Sequence, residues 1–255
     1  MARTAIVTGG TRGIGEAISV MLRDEGVTVA ANYAGNDERA RDFTERTGIR
    51  AFKWDVADFD ACQAGCAQVE AELGPVALFC SNAGVLERDP GADDPTSASD
   101  AAWERSWRVN VMAHVHAARA CLPGMRARGE GWFLQTVSAA GLLQQIGAAP
   151  YSATKHAALG FAESLAVATR DQGIGVSALC PQAVDTAMVA DGRMAGADAD
   201  GVATPDDVAR AALDGVAEGR FLILPHARVA DYARNKAADH DRWIAGMAKL
   251  RRRVI

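Results

Sequence analysis

Short apolar runs alternate with longer segments of three-to-four-residue apolar spacing along most of the chain. The runs Thr4–Thr8, Val27–Tyr33, Arg50–Trp54, Val76–Ser81, Gly131–Val137, Ile174–Cys180 and Phe221–Leu224 predict strands. Helical spacing lies between them over Gly13–Glu25, Asp37–Thr47, Phe59–Leu73, Asp100–Arg128 and Tyr151–Gln172, with further helices at Pro205–Glu218 and Ala227–Leu250. Strand–helix alternation of this kind implies a parallel sheet with right-handed crossovers. The strands are nearly continuous in apolar residues, as expected where helices cover both faces. The pattern therefore predicts an α/β fold: one doubly wound domain of about seven strands spanning 1–255, without linker, repeat or low-complexity block.

Two stretches break the pattern. Leu86–Ser99, rich in Asp, Pro and Ser, reads as a surface loop. Asp185–Thr204, rich in Gly, Ala and Asp, follows the sixth strand. Ligands of open α/β sheets bind at the carboxyl ends of strands, so 185–204 is placed to cover a substrate, with 226–255 as a C-terminal helix.

Composition narrows the function classes. At 255 residues and 49% hydrophobic content the chain can bury a substantial core. A net charge of −5 offers no general attraction to nucleic acid or anionic membrane, and Arg251–Arg253, its one basic cluster, reads as a solvated tail. The strand pattern begins at the N-terminus, with no secretory leader, and no apolar stretch reaches the ~18 residues of a membrane span. The five cysteines, Cys62, Cys66, Cys80, Cys121 and Cys180, lack zinc-site spacing and read as buried thiols of a reducing compartment, the cytoplasm. His114 and His116 face different directions on their helix, so no metal site is expected. His156 is assigned to helix packing, and His226 and His240 to solvation or capping. Most of the five tryptophans are assigned to core or subunit contacts.

The first strand ends in Thr8-Gly9-Gly10-Thr11-Arg12-Gly13-Ile14-Gly15, and a helix begins there. Glycine allows a tight turn and close backbone approach to an anion, while a helix N-terminus supplies free N–H groups and a favourable dipole for pyrophosphate. This loop resembles the cofactor loop of short-chain dehydrogenases/reductases. The other hallmarks follow in order: Asn82-Ala83-Gly84, Asn110, Ser138, Tyr151-Ser152-Ala153-Thr154-Lys155 and Pro181. The resemblance spans roughly residues 3–225 and implies a Rossmann-type domain that binds NAD(P)(H). Residues 1–75 resemble bacterial acetoacetyl-CoA reductases, and the remainder resembles an uncharacterised subgroup of alcohol dehydrogenases.

The resemblance assigns cofactor contacts to Gly9, Thr11, Arg12, Gly13, Ile14, Gly15, Tyr33, Asp55, Val56, Asn82, Ala83, Gly84, Tyr151, Lys155, Pro181, Val184 and Thr186. The family's acidic position, which would bind the ribose 2′-hydroxyl, falls on Tyr33 between uncharged Asn32 and Ala34. With Arg12 available to pair with a 2′-phosphate, NADP(H) is favoured over NAD(H).

Reducing a ketone needs hydride at carbon and a proton at oxygen, and an unperturbed phenol, with a pKa near ~10, needs a neighbouring cation to work near neutrality. Tyr151 and Lys155 stand four apart in a helical segment and so share a face. Ser138, after the fifth strand, can hold the substrate oxygen. By resemblance, Lys155 also holds the nicotinamide ribose and Asn110 keeps a water in a proton relay to Lys155.

The pocket wall is expected at Ala139–Gly147 and Ala187–Val189, mostly apolar, with Gln144, Gln145 and Met188 as substrate contacts. This suits a medium-sized apolar ketone or secondary alcohol. A 3-oxoacyl thioester reductase is the alternative. It calls for a basic patch near the pocket, where 185–204 offers Arg193 against four aspartates. A non-catalytic cofactor-binding protein is a distant third, since Tyr151 and Lys155 are both retained. Two positions depart from the family: Gln182 replaces the glycine after Pro181, and the charged C-terminal segment replaces a tail that packs across tetramers. A homodimer through the two long helices, or a homotetramer, is the expected assembly.

Overall fold

The computed structural model describes residues 4–188, 198 and 200–255. Seven strands form one parallel sheet in the order β3-β2-β1-β4-β5-β6-β7. They are β1 Thr4–Thr8, β2 Thr28–Tyr33, β3 Arg50–Lys53, β4 Val76–Ser81, β5 Gly131–Thr136, β6 Ile174–Leu179 and β7 Leu222–Ile223. Each matches an expected strand to within one or two residues at either end. The order reverses between β1 and β4, and a crevice opens there at the carboxyl edge.

Alternate residues of each strand feed opposite cores. Ile6 packs on one face with Cys62, Cys66, Cys121, Phe133 and Ala162. Ala5 and Val7 pack on the other with Ile18, Phe43, Leu134 and Val208. The first face is covered by α3 (Phe59–Leu73), α5 (Ala113–Arg128) and α6 (Ala149–Thr169), and the second by α1 (Gly13–Asp24), α2 (Asp37–Thr47) and α7 (Pro205–Ala217). All five cysteines are buried and unpaired.

The helix starts carry local signals. The Asn36 side chain accepts from Arg39 N at the start of α2, Asp58 does the same for α3, and Thr204 with Asp207 forms a reciprocal cap on α7.

Three regions differ from expectation. The single helix expected over Asp100–Arg128 is α4 (Asp100–Trp107), a π-turn over Arg108–Met112, and α5. The inserted residue of a π-turn turns Asn110 inward. The C-terminal helix expected over Ala227–Leu250 is a hairpin of α8 (Arg228–Ala238) and α9 (His240–Val254), because Asp239 is extended at φ −153° and caps α9 with its side chain. The loop 86–99 is not wholly surface: Asp89 is buried and both its carboxylate oxygens accept from Ala149 N at 3.1 Å, capping α6. Half of the segment 185–204, with Val189 and Arg193, lies outside the described residues.

Candidate active site

A cleft of about 1780 Å³ runs along the carboxyl edge of the sheet. That exceeds the roughly 300–1,000 Å³ of ordinary ligand pockets and leaves room for a dinucleotide and a second molecule together.

The glycine turn forms one end. Gly9 and Gly13 sit at φ +63° and +53°, where a side chain would be strained. A Cβ on Gly15 would lie 2.2 Å from the Gly9 carbonyl, so Gly15 is needed for the turn to close against α1. Gly15 is absent from the cleft lining; its part is to shape the loop. At the start of α1 the N-cap residue, Arg12, makes no side-chain cap bond, so the first-turn N–H groups stay free for an anion. These features fit a pyrophosphate.

The turn is tied to β4 by Thr8. Its Oγ1 accepts from Asn82 N at 2.9 Å and Ala83 N at 3.0 Å, while Asn82 Nδ2 donates to Thr8 O at 3.0 Å. Thr8, Asn82 and Ala83 thus hold the two strands at the switch point. The other cofactor positions expected from the sequence, Thr11, Ile14, Tyr33, Asp55, Val56, Gly84, Pro181, Val184 and Thr186, all line the cleft. His116 Nδ1 lies 3.1 Å from Val56 O and holds that turn in place.

The end of the cleft beside β2 is basic. Arg39, in the first turn of α2, lines the cleft beside Arg12, and neither guanidinium has an ion-pair partner among the described residues. Asp37, the first carboxylate after β2, is paired with Lys53 at 2.9 Å, accepts from Tyr33 Oη at 3.0 Å, and lies off the cleft. Sequence reading missed Arg39, whose signal was a basic residue one turn into the helix that follows β2.

At the other end stand Ser138, Tyr151 and Lys155. Lys155 Nζ lies 5.6 Å from the Tyr151 ring centroid, so the two share a helix face as their spacing predicts. The ammonium donates to Thr136 O at 3.0 Å, and burial pulls its pKa down to about 8. Burial likewise pushes the Tyr151 phenol above its ordinary value, partly offset by a hydrogen bond with Ser138. The lysine was expected to bring that phenol down; here burial raises it. Ser138 is the one described non-glycine residue at positive φ, +129°. Its Oγ accepts from Ala140 N at 3.1 Å, and Ala139 N donates to Pro181 O at 2.8 Å, which fixes the β5 end against β6.

Asn110 is fully buried and does not line the cleft. Its Oδ1 accepts from Val85 N at 2.9 Å, and its Nδ2 donates to Val85 O at 2.9 Å and Thr154 Oγ1 at 3.2 Å. Both ends of the amide are engaged by protein, which ties the π-turn to Val85 and to Thr154 on α6, one residue before Lys155.

The substrate side also departs from expectation. Gln144, Gln145 and Met188 line the cleft as predicted. His226 is buried, accepting from Gln182 N through Nδ1 at 3.2 Å with Nε2 3.2 Å from Ala183 O. It thereby secures the turn in which Gln182 replaces glycine, a role that neither solvation nor capping described. Trp243, assigned to core or subunit contact, lines the cleft.

Fold and site together define a dinucleotide-binding α/β oxidoreductase. A profile described as short chain dehydrogenase matches residues 3–195. The chain is 46% identical over 189 residues to an acetoacetyl-CoA reductase of Paracoccus denitrificans, covering 74% of this chain and 76% of the relative, well beyond residues 1–75. It is 32% identical over 232 residues to a 1-deoxy-11-beta-hydroxypentalenate dehydrogenase of Streptomyces exfoliatus, covering 88% and 83%. A solved short-chain dehydrogenase structure from Novosphingobium aromaticivorans superposes with a TM-score of 0.80 at 27% identity, covering 95% of this chain and 86% of that one. The chain belongs to the short-chain dehydrogenase/reductase family, and it is an NAD(P)-dependent oxidoreductase that interconverts ketones and secondary alcohols. No described helix is long and apolar enough to cross a membrane.

Proposed function

We propose that the chain is an NADP(H)-linked carbonyl reductase and secondary-alcohol dehydrogenase for substrates with an apolar body. One observation carries the reading: Ser138, Tyr151 and Lys155 meet in the cleft that the uncapped start of α1 also enters. The bound nicotinamide supplies or accepts the hydride at the substrate carbon. In reduction, Tyr151 Oη gives its proton to the carbonyl oxygen, and Ser138 Oγ holds that oxygen beside the phenol. Burial keeps Tyr151 protonated at neutral pH, which suits it to donate. Lys155 favours the phenolate that forms and holds the ribose, while Asn110 and Thr136 position Tyr151 and Lys155. Arg12 and Arg39 select the 2′-phosphate. The exposed Trp103, Trp107 and Val167 on α4 and α6 favour a dimer through the long helices.

A second reading, reduction of a 3-oxoacyl thioester, is favoured by the 46% likeness to an acetoacetyl-CoA reductase. The cations it calls for need not come from 185–204. Arg108 and Arg242 line the cleft from other elements, without ion-pair partners among the described residues. Initial rates with NADPH and NADH against small ketones, bulky ketones and acetoacetyl-CoA test both. The first reading expects kcat/KM for an apolar ketone to exceed that for acetoacetyl-CoA, and the reverse order overturns it in favour of the second.

A further inference from the structure

An amphipathic helix ordinarily buries its apolar stripe against the core. None of the fifteen residues of α9 is buried, yet Trp243, Gly246, Met247 and Leu250 fall on one face at positions i, i+3, i+4 and i+7. All four line the cleft. The profile match ends at residue 195, so this wall lies outside it.

The hairpin is fixed to the catalytic end by bonds within the same chain. Lys236 Nζ donates to Leu142 O at 2.8 Å and Leu143 O at 3.2 Å, on the segment that follows Ser138. The same ammonium sits 4.9 Å over the Trp243 ring. Farther along, Arg251 donates to Asp93 O at 3.1 Å. The apolar face of α9 is therefore held in register with Ser138 and Tyr151.

We infer that this face is the substrate-selecting wall: it packs the apolar body of the ketone and sets the size the site accepts, with Trp243 and Met247 as specificity-determining residues. The inference rests on the ketone-reductase reading above and adds that preferred substrates carry an apolar group reaching past the carbonyl to α9. The occupant is substrate because the stripe is continuous with the cleft that holds the reacting groups.

Gly246 offers a probe. A Cβ built there meets no atom within 4 Å, so the first side-chain carbon displaces no protein at this cleft-lining position, and a residue other than glycine also favours the helix. The series Gly246→Ala, Gly246→Leu and Gly246→Phe is assayed with NADPH against 2-butanone and 2-acetylnaphthalene, with KM for NADPH and the melting temperature as controls. The bulky-to-small ratio of kcat/KM should fall in order of side-chain volume, by at least about tenfold at Leu. A ratio unchanged along the series, or both substrates falling by the same factor, overturns the wall while leaving the ketone-reductase reading standing. Inertness of the unsubstituted enzyme towards both ketones overturns that reading and, with it, the substrate class inferred here.

Discussion

On the proposed NADP(H) reading, replacing Arg12 and Arg39 by alanine should convert preference for NADPH to indifference between NADPH and NADH. Both guanidiniums are exposed and lack ion-pair partners among the described residues, so removing them strands no buried charge. The Arg12 side chain makes no cap bond to α1, and the α2 cap uses the Arg39 backbone N, so both helix starts survive truncation. A hydrogen bond to a charged group contributes roughly 1.5–3 kcal/mol, and solvent screening at an exposed site favours the lower end. Taking about 1.4 kcal/mol for each, KM for NADPH should rise about tenfold in either single variant and about a hundredfold in the double. KM for NADH should stay within about twofold in all three. Initial-rate kinetics at two salt concentrations measure this. The wild-type advantage for NADPH should shrink at high salt as the Debye length falls. If KM for both dinucleotides rises together, the arginines shape the loop and do not read the phosphate; if neither moves, the assignment of the ribose end is refuted.

Three further outcomes follow from the catalytic end. Tyr151→Phe removes the proton donor while keeping the ring, so kcat should fall about 10²- to 10⁴-fold with NADPH binding by fluorescence titration retained; undiminished turnover of a simple ketone would sink the acid–base assignment. Ser138→Gly relieves a backbone at φ +129° but deletes the hydroxyl, so turnover should drop while the melting temperature holds or rises; a large loss of stability would show that the Ala140 cap outweighs the strain. Lys155 has a folded pKa near 8 against an ordinary 10.5. The folded state thus binds fewer protons between those values, stability rises with pH through that window, and the cost of the buried charge is full below about 8. Removing it should be worth on the order of 3 kcal/mol before the lost Thr136 bond is counted. Lys155→Met should therefore gain stability relative to wild type more at pH 7 than at pH 10, and denaturant melts giving equal differences at both would contradict this.

Much of the fold and half of the site could be read without coordinates, because both are written in local spacing. Strand and helix periods follow from which residues face a core one turn or one pleat away, and the β-strands fell within a residue or two of expectation. The glycine loop and the Tyr151–Lys155 pair are equally local, set by a tight turn and a four-residue helical step. Ser138 at a strand end belongs with them.

What tertiary structure alone decided involves partners far apart in the chain. Asn110 meets Val85 and Thr154 through a π-turn that apolar spacing does not reveal. His226 reaches back to Gln182, and Asp89 caps a helix sixty residues away. Trp243 and Met247 became pocket wall only when Asp239 broke the C-terminal helix and Lys236 fastened the hairpin over the cleft. The amino-acid sequence by itself determined the sheet, the glycine turn and the pairing of Tyr151 with Lys155 on one helix face, since each depends on neighbours a few positions away. The shape of the substrate side was settled by long-range hydrogen bonds and chain reversal, whose geometry no local period encodes.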